Sequence, residues 1–410
     1  MELDEQVGRI LAYGEICDHC LGRFFGKRSH GLSNGERGKG LRVAHAIQAN
    51  TPYKPHEGSC WICHDLFSDT GTWAGWVVEA LSGIEHSTFL IGTRVPPLMA
   101  ESEEVVWSDL GLTGPEPLKS EMNREVGKAV AAITGKVADL SHPDVVAILD
   151  LATRTVELEI TPLFFRGRYR KLERGIPQTR WPCRACHGAG CERCGFTGKM
   201  YPDSVEELIG RTAVEAFQAE RAVLHGAGRE DIDARMLGSG RPFVMEMVAP
   251  RRRAPDLALL EEAVNRNAAG RVGVSIDGWS TRGAVETLKS EKAHKKYRIS
   301  VEVEGGIAQN ELEEALDRLK GAVVSQRTPT RVVHRRADRI RERRVVDARV
   351  AGQEDGRFFL DVVGEAGLYV KELVSGDGGR TQPSLAGLLG RPARVIQLDV
   401  LEVEGSEEME

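Results

Sequence analysis

The sequence predicts an α+β protein of two or three domains, and three observations carry that prediction. The chain is 410 residues long, well beyond the ~150 residues of a typical domain. Its second half alternates seven strand-like runs with few helices, the pattern of a mostly antiparallel sheet with helices laid on it. All eight cysteines fall into CxxC pairs, none of them left over, which builds metal clips into the first 200 residues. A composition of 41% hydrophobic and 28% charged residues is that of a globular chain. No stretch reaches the ~18 apolar residues of a membrane helix, so no membrane partner is expected.

The opening MELDEQVGRI has acids where a secretory leader has a basic region and an apolar run, so a cytoplasmic protein is expected. A 3.6-residue apolar period predicts helices over 4–13, 36–48, 72–81 and 119–133, and strand-like runs follow at 145–151 and 155–163. Nothing in this accessory α/β part sets an acid, a base and a nucleophile at a catalytic spacing. Its expected work is positioning.

The cysteine pairs are Cys17 with Cys20, Cys60 with Cys63, Cys183 with Cys186 and Cys191 with Cys194. Each CxxC turn aims two sulfurs at one point, and two turns complete a tetrahedron. In PCRACHGAGCERCGFTG the four thiols are close in sequence; in CDHC and CWIC they depend on the fold. Four thiolates saturate zinc and leave no position for a reactive water, so one or two structural zinc sites are expected. His19, His64 and His187 stand beside the cysteines, but with four sulfurs available to each site they are not expected as ligands. Redox CxxC chemistry fits less well, because such motifs come singly.

From Tyr201 the pattern changes. Ser204 with Glu207 three residues on predicts a capping box opening a helix to about Ala219. Strands are expected at 243–248, 272–276, 297–303, 331–334, 345–350, 358–363 and 395–402, with helices near 257–267 and 311–319. The net charge is -6, yet residues 326–344 hold eight arginines against two acids, Arg251 to Arg253 form a second run, and the end of the chain is glutamate-rich. Concentrated positive charge of this kind suits a polyanionic partner.

Four stretches here resist a purely structural reading. GREDIDAR sets carboxylates in a glycine frame beside Arg229, a cation that favours a neighbouring aspartate's charged form. HKKYRISVEV puts Tyr297 at the head of a strand, QRTPTRVVHRR is dense in arginine, and AGLYVKELVSGDGGRTQPSLAGLLG gathers Tyr369, Lys371, Glu372 and Arg380 around a short helix. Singly, Asp231 reads as an Asx-turn former, Tyr297 as a strand aromatic, Lys371 as a surface lysine and the arginines as solvated.

Together they resemble the archaeal and eukaryotic tRNA pseudouridine synthases that act on uridines 54 and 55 of the TΨC arm. The resemblance rests on GREDIDARMLGSGRPF, KKYRISVEVEG, QRTPTRVVHRRADRIRER and GLYVKELVSGDGGRTQPS, and extends to CDHCLGRFFG near the N-terminus. It implies a C-terminal pseudouridine synthase domain at 201–410, a zinc-binding region at 1–63, a THUMP-like tRNA-binding domain at 64–180 and a second zinc clip at 181–200. By the G-R-x-D pattern Asp231 is the implied catalytic aspartate, with Asp233 its off-pattern competitor. Arg229 is its implied charge partner and a contact to the displaced nucleotide. Tyr297 matches the tyrosine that stacks on the flipped base, Lys371 the basic residue paired with the aspartate, and Leu373 the apolar residue beneath the site. Tyr369, Arg327, Arg335, Arg336 and Arg380 complete the expected substrate contacts.

The chemistry is consistent with these residues. Uridine isomerisation consumes no cofactor, and the chain has no Walker lysine loop and no dinucleotide fingerprint, so no organic cofactor is expected. The target base must leave its stack, which calls for an aromatic ring and basic groups around one carboxylate. The expected partner is tRNA and the expected state a monomer. A non-catalytic zinc-containing RNA-binding protein is the alternative; a zinc-ribbon co-chaperone would need further repeats that the chain lacks.

Overall fold

Pro162 divides the run at 155–163 that reads as a single strand. In the computed structural model, which describes residues 2–290, 293–334, 336–354 and 357–403, the chain separates there into Met1–Thr161 and Pro162–Glu410.

The first unit contains α1 (Leu3–Ala12), α2 (Asp18–Phe24), α3 (Asn34–Gln48), α4 (Thr70–Ala80), β1 (Thr88–Arg94), α5 (Pro97–Asp109), α6 (Leu118–Thr134), β2 (Val137–Ala138), β3 (Val145–Asp150) and β4 (Thr155–Ile160). The strands form one sheet in the order β2-β1-β3-β4. β1 and β3 are parallel, a pairing that needs a crossover, and α5 and α6 supply it. The sequence reading lacks α2, α5, β1 and β2. Ser33 caps α3 in a full capping box with Glu36. Trp73, Phe89, Met122, Val126 and Leu149 meet in a core that also takes in Cys20, Cys60 and Cys63.

The second unit contains β5 (Leu163–Lys171), α7 (Val205–Phe217), β6 (Arg221–Gly226), β7 (Arg235–Val248), α8 (Leu257–Asn267), β8 (Val272–Ser280), α9 (Arg282–Ser290), β9 (Lys295–Val303), α10 (Gln309–Leu319), β10 (Val323–Arg327), β11 (Ile340–Glu354), β12 (Arg357–Gly364), α11 (Val370–Ser375), β13 (Thr381–Gln382), α12 (Leu385–Leu389) and β14 (Ala393–Val403). A ten-stranded sheet runs β13-β10-β11-β12-β9-β14-β7-β5-β8, with β6 on β7. Its ladders are antiparallel except β14 with β7, joined through Asp399↔Arg235 and Val400↔Met236. The expected α+β class and mostly antiparallel sheet are therefore observed.

Four particulars differ from the sequence reading. The compact unit begins at Pro162, before the expected boundary at 201, because β5 pairs along its length between β7 and β8. The cysteine clip at 183–198 belongs to this unit as well. β7 starts at Arg235, inside a stretch without evident periodicity. There Gly238 sits at φ +57, and a Cβ on it would lie 2.0 Å from the Leu401 carbonyl oxygen, so the strand passes β14 with no side chain between them. Finally, 331–334 is a turn, with Val332 and Val333 donating to the Pro329 carbonyl.

At α7 the Ser204 hydroxyl accepts from the Glu207 amide at 3.2 Å. The Glu207 carboxylate binds that hydroxyl at 2.9 Å and the Lys199 ammonium at 2.8 Å, so the cap is in place with the glutamate turned to other partners.

Candidate active site

Residues 227–234 form the loop between β6 and β7, which pair up to Gly226↔Phe243. The loop opens on a cleft of about 1110 Å³ whose walls include Asp231, Tyr297, Arg331, Tyr369 and Lys371. Arg331 Nη1 lies 3.1 and 3.2 Å from the two carboxylate oxygens of Asp231. The far edge of the same guanidinium is held by Glu372, at 2.7 Å from Nε and 3.3 Å from Nη2. The Glu372 side chain is only 6% exposed, so its charge is directed to Arg331 and not to solvent. Glu372 and Asp231 together raise the Arg331 pKa against the pull of burial. One arginine thus ties the turn after β10, helix α11 and the loop together.

Lys371, next to Glu372 on α11, bridges both aspartates: Nζ is 3.4 Å from Asp231 and 2.7 Å from Asp233. Burial pushes the Asp233 carboxyl up, but its hydrogen bond to Lys371 and the nearby Arg331 outweigh this and leave it below the usual carboxylate range. Asp233 spends its charge on the lysine, and its side chain is 68% exposed against 37% for Asp231. The expected pairing of lysine with aspartate is present, shared between two carboxylates.

Beneath the loop lies a buried polar layer that the sequence reading left unassigned. Lys171, at the end of β5, donates to the backbone carbonyls of Ile176, Asp231 and Ile232 at 2.8, 3.1 and 3.2 Å. Glu230, buried, accepts from Arg241 Nε at 2.8 Å and from the Tyr169 hydroxyl at 2.9 Å. Arg241 also donates to the Ala227 carbonyl at 2.6 Å, and Gln178 to that of Gly228 at 2.9 Å. At Gly228, φ is +80 and a Cβ would sit 3.0 Å from Lys295 Nζ and 3.3 Å from Arg241 Nη1, so glycine is required where these cations crowd the backbone. Burial pulls Lys171 down to about 8, with Arg241 adding to the effect and Glu230 opposing it. Lys295 is drawn to about 8 for the same leading reason. The signals were a lysine closing the alternating run FFRGRYRK and a glutamate beside the candidate aspartate, neither distinctive without the fold.

Tyr297, on β9, is 9% exposed with its ring at the cleft wall, and burial pushes its hydroxyl up to about 12. Leu373 is buried in the same core. Tyr369 also lines the cleft, its hydroxyl accepting from Arg336 at 3.0 Å. The remaining expected contacts are placed otherwise. Arg327 and Arg380 clasp Asp338 at 2.7 and 2.9 Å, which uses their charge to pin the ends of β10 and β11. Arg335 and the acidic tail from Glu404 lie outside the described residues. The cations set against Asp231 are the expected Lys371 and Arg331, where the sequence reading put Lys371 and Arg229; the Arg229 guanidinium lies over the Trp181 ring, 5.1 Å from its centroid.

Two groups of four cysteines form, Cys17, Cys20, Cys60, Cys63 and Cys183, Cys186, Cys191, Cys194, with the sulfurs of each group within 4.8 Å of one another. The Cys17 and Cys63 sulfurs stand 3.6 Å apart in the first, and neighbouring sulfurs stand 3.8–3.9 Å apart in the second. That is far beyond a disulfide bond of about 2.05 Å, and it matches the ~3.8 Å edge of a tetrahedron with ~2.3 Å metal–sulfur bonds. Backbone amides of Cys20, Gly190 and Gly198 point at Cys17, Cys186 and Cys194 sulfurs at 3.4, 3.2 and 3.3 Å. Both groups can hold a metal ion. Among the described residues no helix is long and apolar enough to cross a membrane.

Comparison with known proteins places these features. The family described as "Pus10, C-terminal" matches residues 164–404, and "Pus10 THUMP domain, archaeal" matches residues 73–150. A curated tRNA pseudouridine synthase Pus10 of Methanothrix thermoacetophila is 47% identical, over 97% of this chain and 93% of that protein. The protein of that name from Halorubrum lacusprofundi is 43% identical over 100% and 98%, and that from Methanothermobacter marburgensis 45% identical over 98% and 99%. Among solved structures, a Cbf5-Nop10-Gar1 complex is 16% identical with a TM-score of 0.32, covering 48% of this chain and 45% of that one.

Proposed function

This chain belongs to the Pus10 family of tRNA pseudouridine synthases and is an enzyme that isomerises uridine to pseudouridine; from that premise we propose that it acts on uridine 54, uridine 55 or both in the TΨC arm of tRNA. Asp231 is the catalytic carboxylate. The observation that carries this reading is its place in the cleft, gripped by Arg331 at 3.1 Å and Lys371 at 3.4 Å beside the Tyr297 ring.

The reaction breaks the bond from the sugar to N1 of the base and forms one to C5. The C5 proton leaves and N1 gains one, so no atom or electron is lost. Asp231 opens it either as nucleophile at the sugar or as the base that takes a sugar proton. Tyr297 stacks on the flipped base, and its phenol, with pKa near 12, stays protonated as a donor at neutral pH. Arg336, Tyr369 and the turn at 329–334 hold the displaced nucleotide. Residues of the THUMP match bind the tRNA body, and the reaction takes place in the cytoplasm, where tRNA is.

Both cysteine groups hold zinc, Cys17, Cys20, Cys60 and Cys63 in one and Cys183, Cys186, Cys191 and Cys194 in the other. With four sulfurs on each ion, the metal's contribution is structural.

The test is direct. The protein is incubated with an unmodified tRNA transcript, pseudouridine is mapped by position, and the assay is repeated with Asp231→Ala. Pseudouridine at 54 or 55 that vanishes in the variant supports the reading; modification elsewhere, or an active variant, refutes it.

A further inference from the structure

The second cysteine clip follows directly on Trp181 of the cleft wall, and its two ends are clasped together. The Cys183 amide donates to the Gly198 carbonyl at 2.8 Å, the Met200 amide to the Trp181 carbonyl at 2.9 Å, and Pro182 pairs with Lys199. Trp181 thus leaves the clip at a set position. Tyr201, from the other end, packs edge-on against its ring at 5.7 Å. Trp181 lines the cleft, and the exposed Arg229, two residues before Asp231, lies over it at 5.1 Å. Just upstream of the clip, Gln178 holds the Gly228 carbonyl at 2.9 Å. Among the described residues, none between 177 and 204 joins the main apolar cluster of the unit, so hydrogen bonds and the sulfur cluster give this segment its shape.

We propose that Trp181 is a positioning residue for the RNA substrate. The metal-closed clip seats its indole, and the indole holds the Arg229 guanidinium out over the cleft to receive a phosphate of the nucleotide chain beside the flipped uridine. An arginine stacked on a ring has lost much of its rotamer freedom before RNA arrives, so less is lost on binding. A phosphate contact made equally before and during the reaction lowers KM without raising kcat. The clip therefore acts on substrate affinity, not on the chemical step. The inference rests on the reading of the Asp231 cleft as the uridine site.

The experiment uses the full chain and unmodified tRNA. KM and kcat are measured with tRNA affinity by fluorescence anisotropy and metal content by mass spectrometry. Trp181→Ala should raise KM and weaken affinity about fivefold to tenfold, with kcat changed less than about twofold; Trp181→Phe, which keeps a ring face, should recover most of the loss. Cys186→Ser with Cys194→Ser should remove one metal equivalent and give the same shift. Adding Trp181→Ala to that pair should cost little more, since both lesions unseat one contact. Wild-type KM in Trp181→Ala, a fall in kcat alone, or full additivity with the cysteine pair overturns the proposal. An active Asp231→Asn would sink the site reading itself, whereas an inactive Asp231→Asn with a silent Trp181→Ala sinks only this inference.

Discussion

Lys171 Nζ stands 3.1 Å from the backbone carbonyl of Asp231, donating from a side chain with no solvent exposure. The lysine touches the main chain of the candidate catalytic residue while Arg331 and Lys371 touch its carboxylate, so position and charge are set by different groups. Lys171→Met leaves three carbonyls and the buried Glu230 without that cation and should cost about 2–4 kcal/mol of stability. Denaturant titration checks it.

The same lysine predicts a pH dependence. Its folded pKa is about 8 against an ordinary 10.5, so between those values the unfolded chain binds more protons and the stability due to this group rises with pH. Below pH 8 both states are protonated and the contribution is flat. The denaturation midpoint of the wild type should therefore climb between pH 8 and 10 more steeply than that of Lys171→Met. Lys295, also near 8, adds the same slope to both proteins. Equal slopes would refute the prediction.

Asp231 and Asp233 should separate sharply. Asp231→Asn should lower single-turnover pseudouridine formation by at least ~10³-fold with tRNA affinity kept. Asp233→Asn loses only a partly exposed lysine pair and should fall less than about tenfold. Reversed magnitudes would move the catalytic assignment to Asp233.

Arg331 is bidentate to Glu372 and reaches Asp231 with the edge left over, a geometry that lysine cannot copy. Arg331→Lys should reduce kcat by about 10²-fold. Glu372→Gln should give a smaller loss in the same parameter, because the guanidinium keeps its place but not its charge partner. Single-turnover rates at saturating tRNA decide.

Metal content should be two equivalents per chain. Cys20→Ser, in the buried cluster of the first unit, should remove one and lower the melting of that unit by several degrees. Loss of both equivalents together would mean the clusters are not independent.

Much of the site was legible in short motifs. Asp231, Tyr297 and Lys371 were picked out by the family resemblance and line one cleft, and the clip at 183–198 closes within one tight segment. What escaped was nonlocal. β5 went unassigned, because its alternation of arginines with buried Phe165 and Tyr169 ends on a buried lysine. Its partner strands follow about 70 to 110 residues later. Arg331 hid inside an expected strand; only the turn after Pro329 aims it at Asp231.

The sequence alone determined the α+β class and the cysteine pairing, because periodicity and CxxC spacing are local properties, and its family resemblance singled out Asp231 as the candidate carboxylate. The tertiary structure decided that Arg331 joins Lys371 at that carboxylate. Arg229 is two residues away in sequence and lies on Trp181, while Arg331 is 100 residues away and lies 3.1 Å from the carboxylate. Charge pairing depends on distance in space, and sheet pairing across the second unit sets those distances.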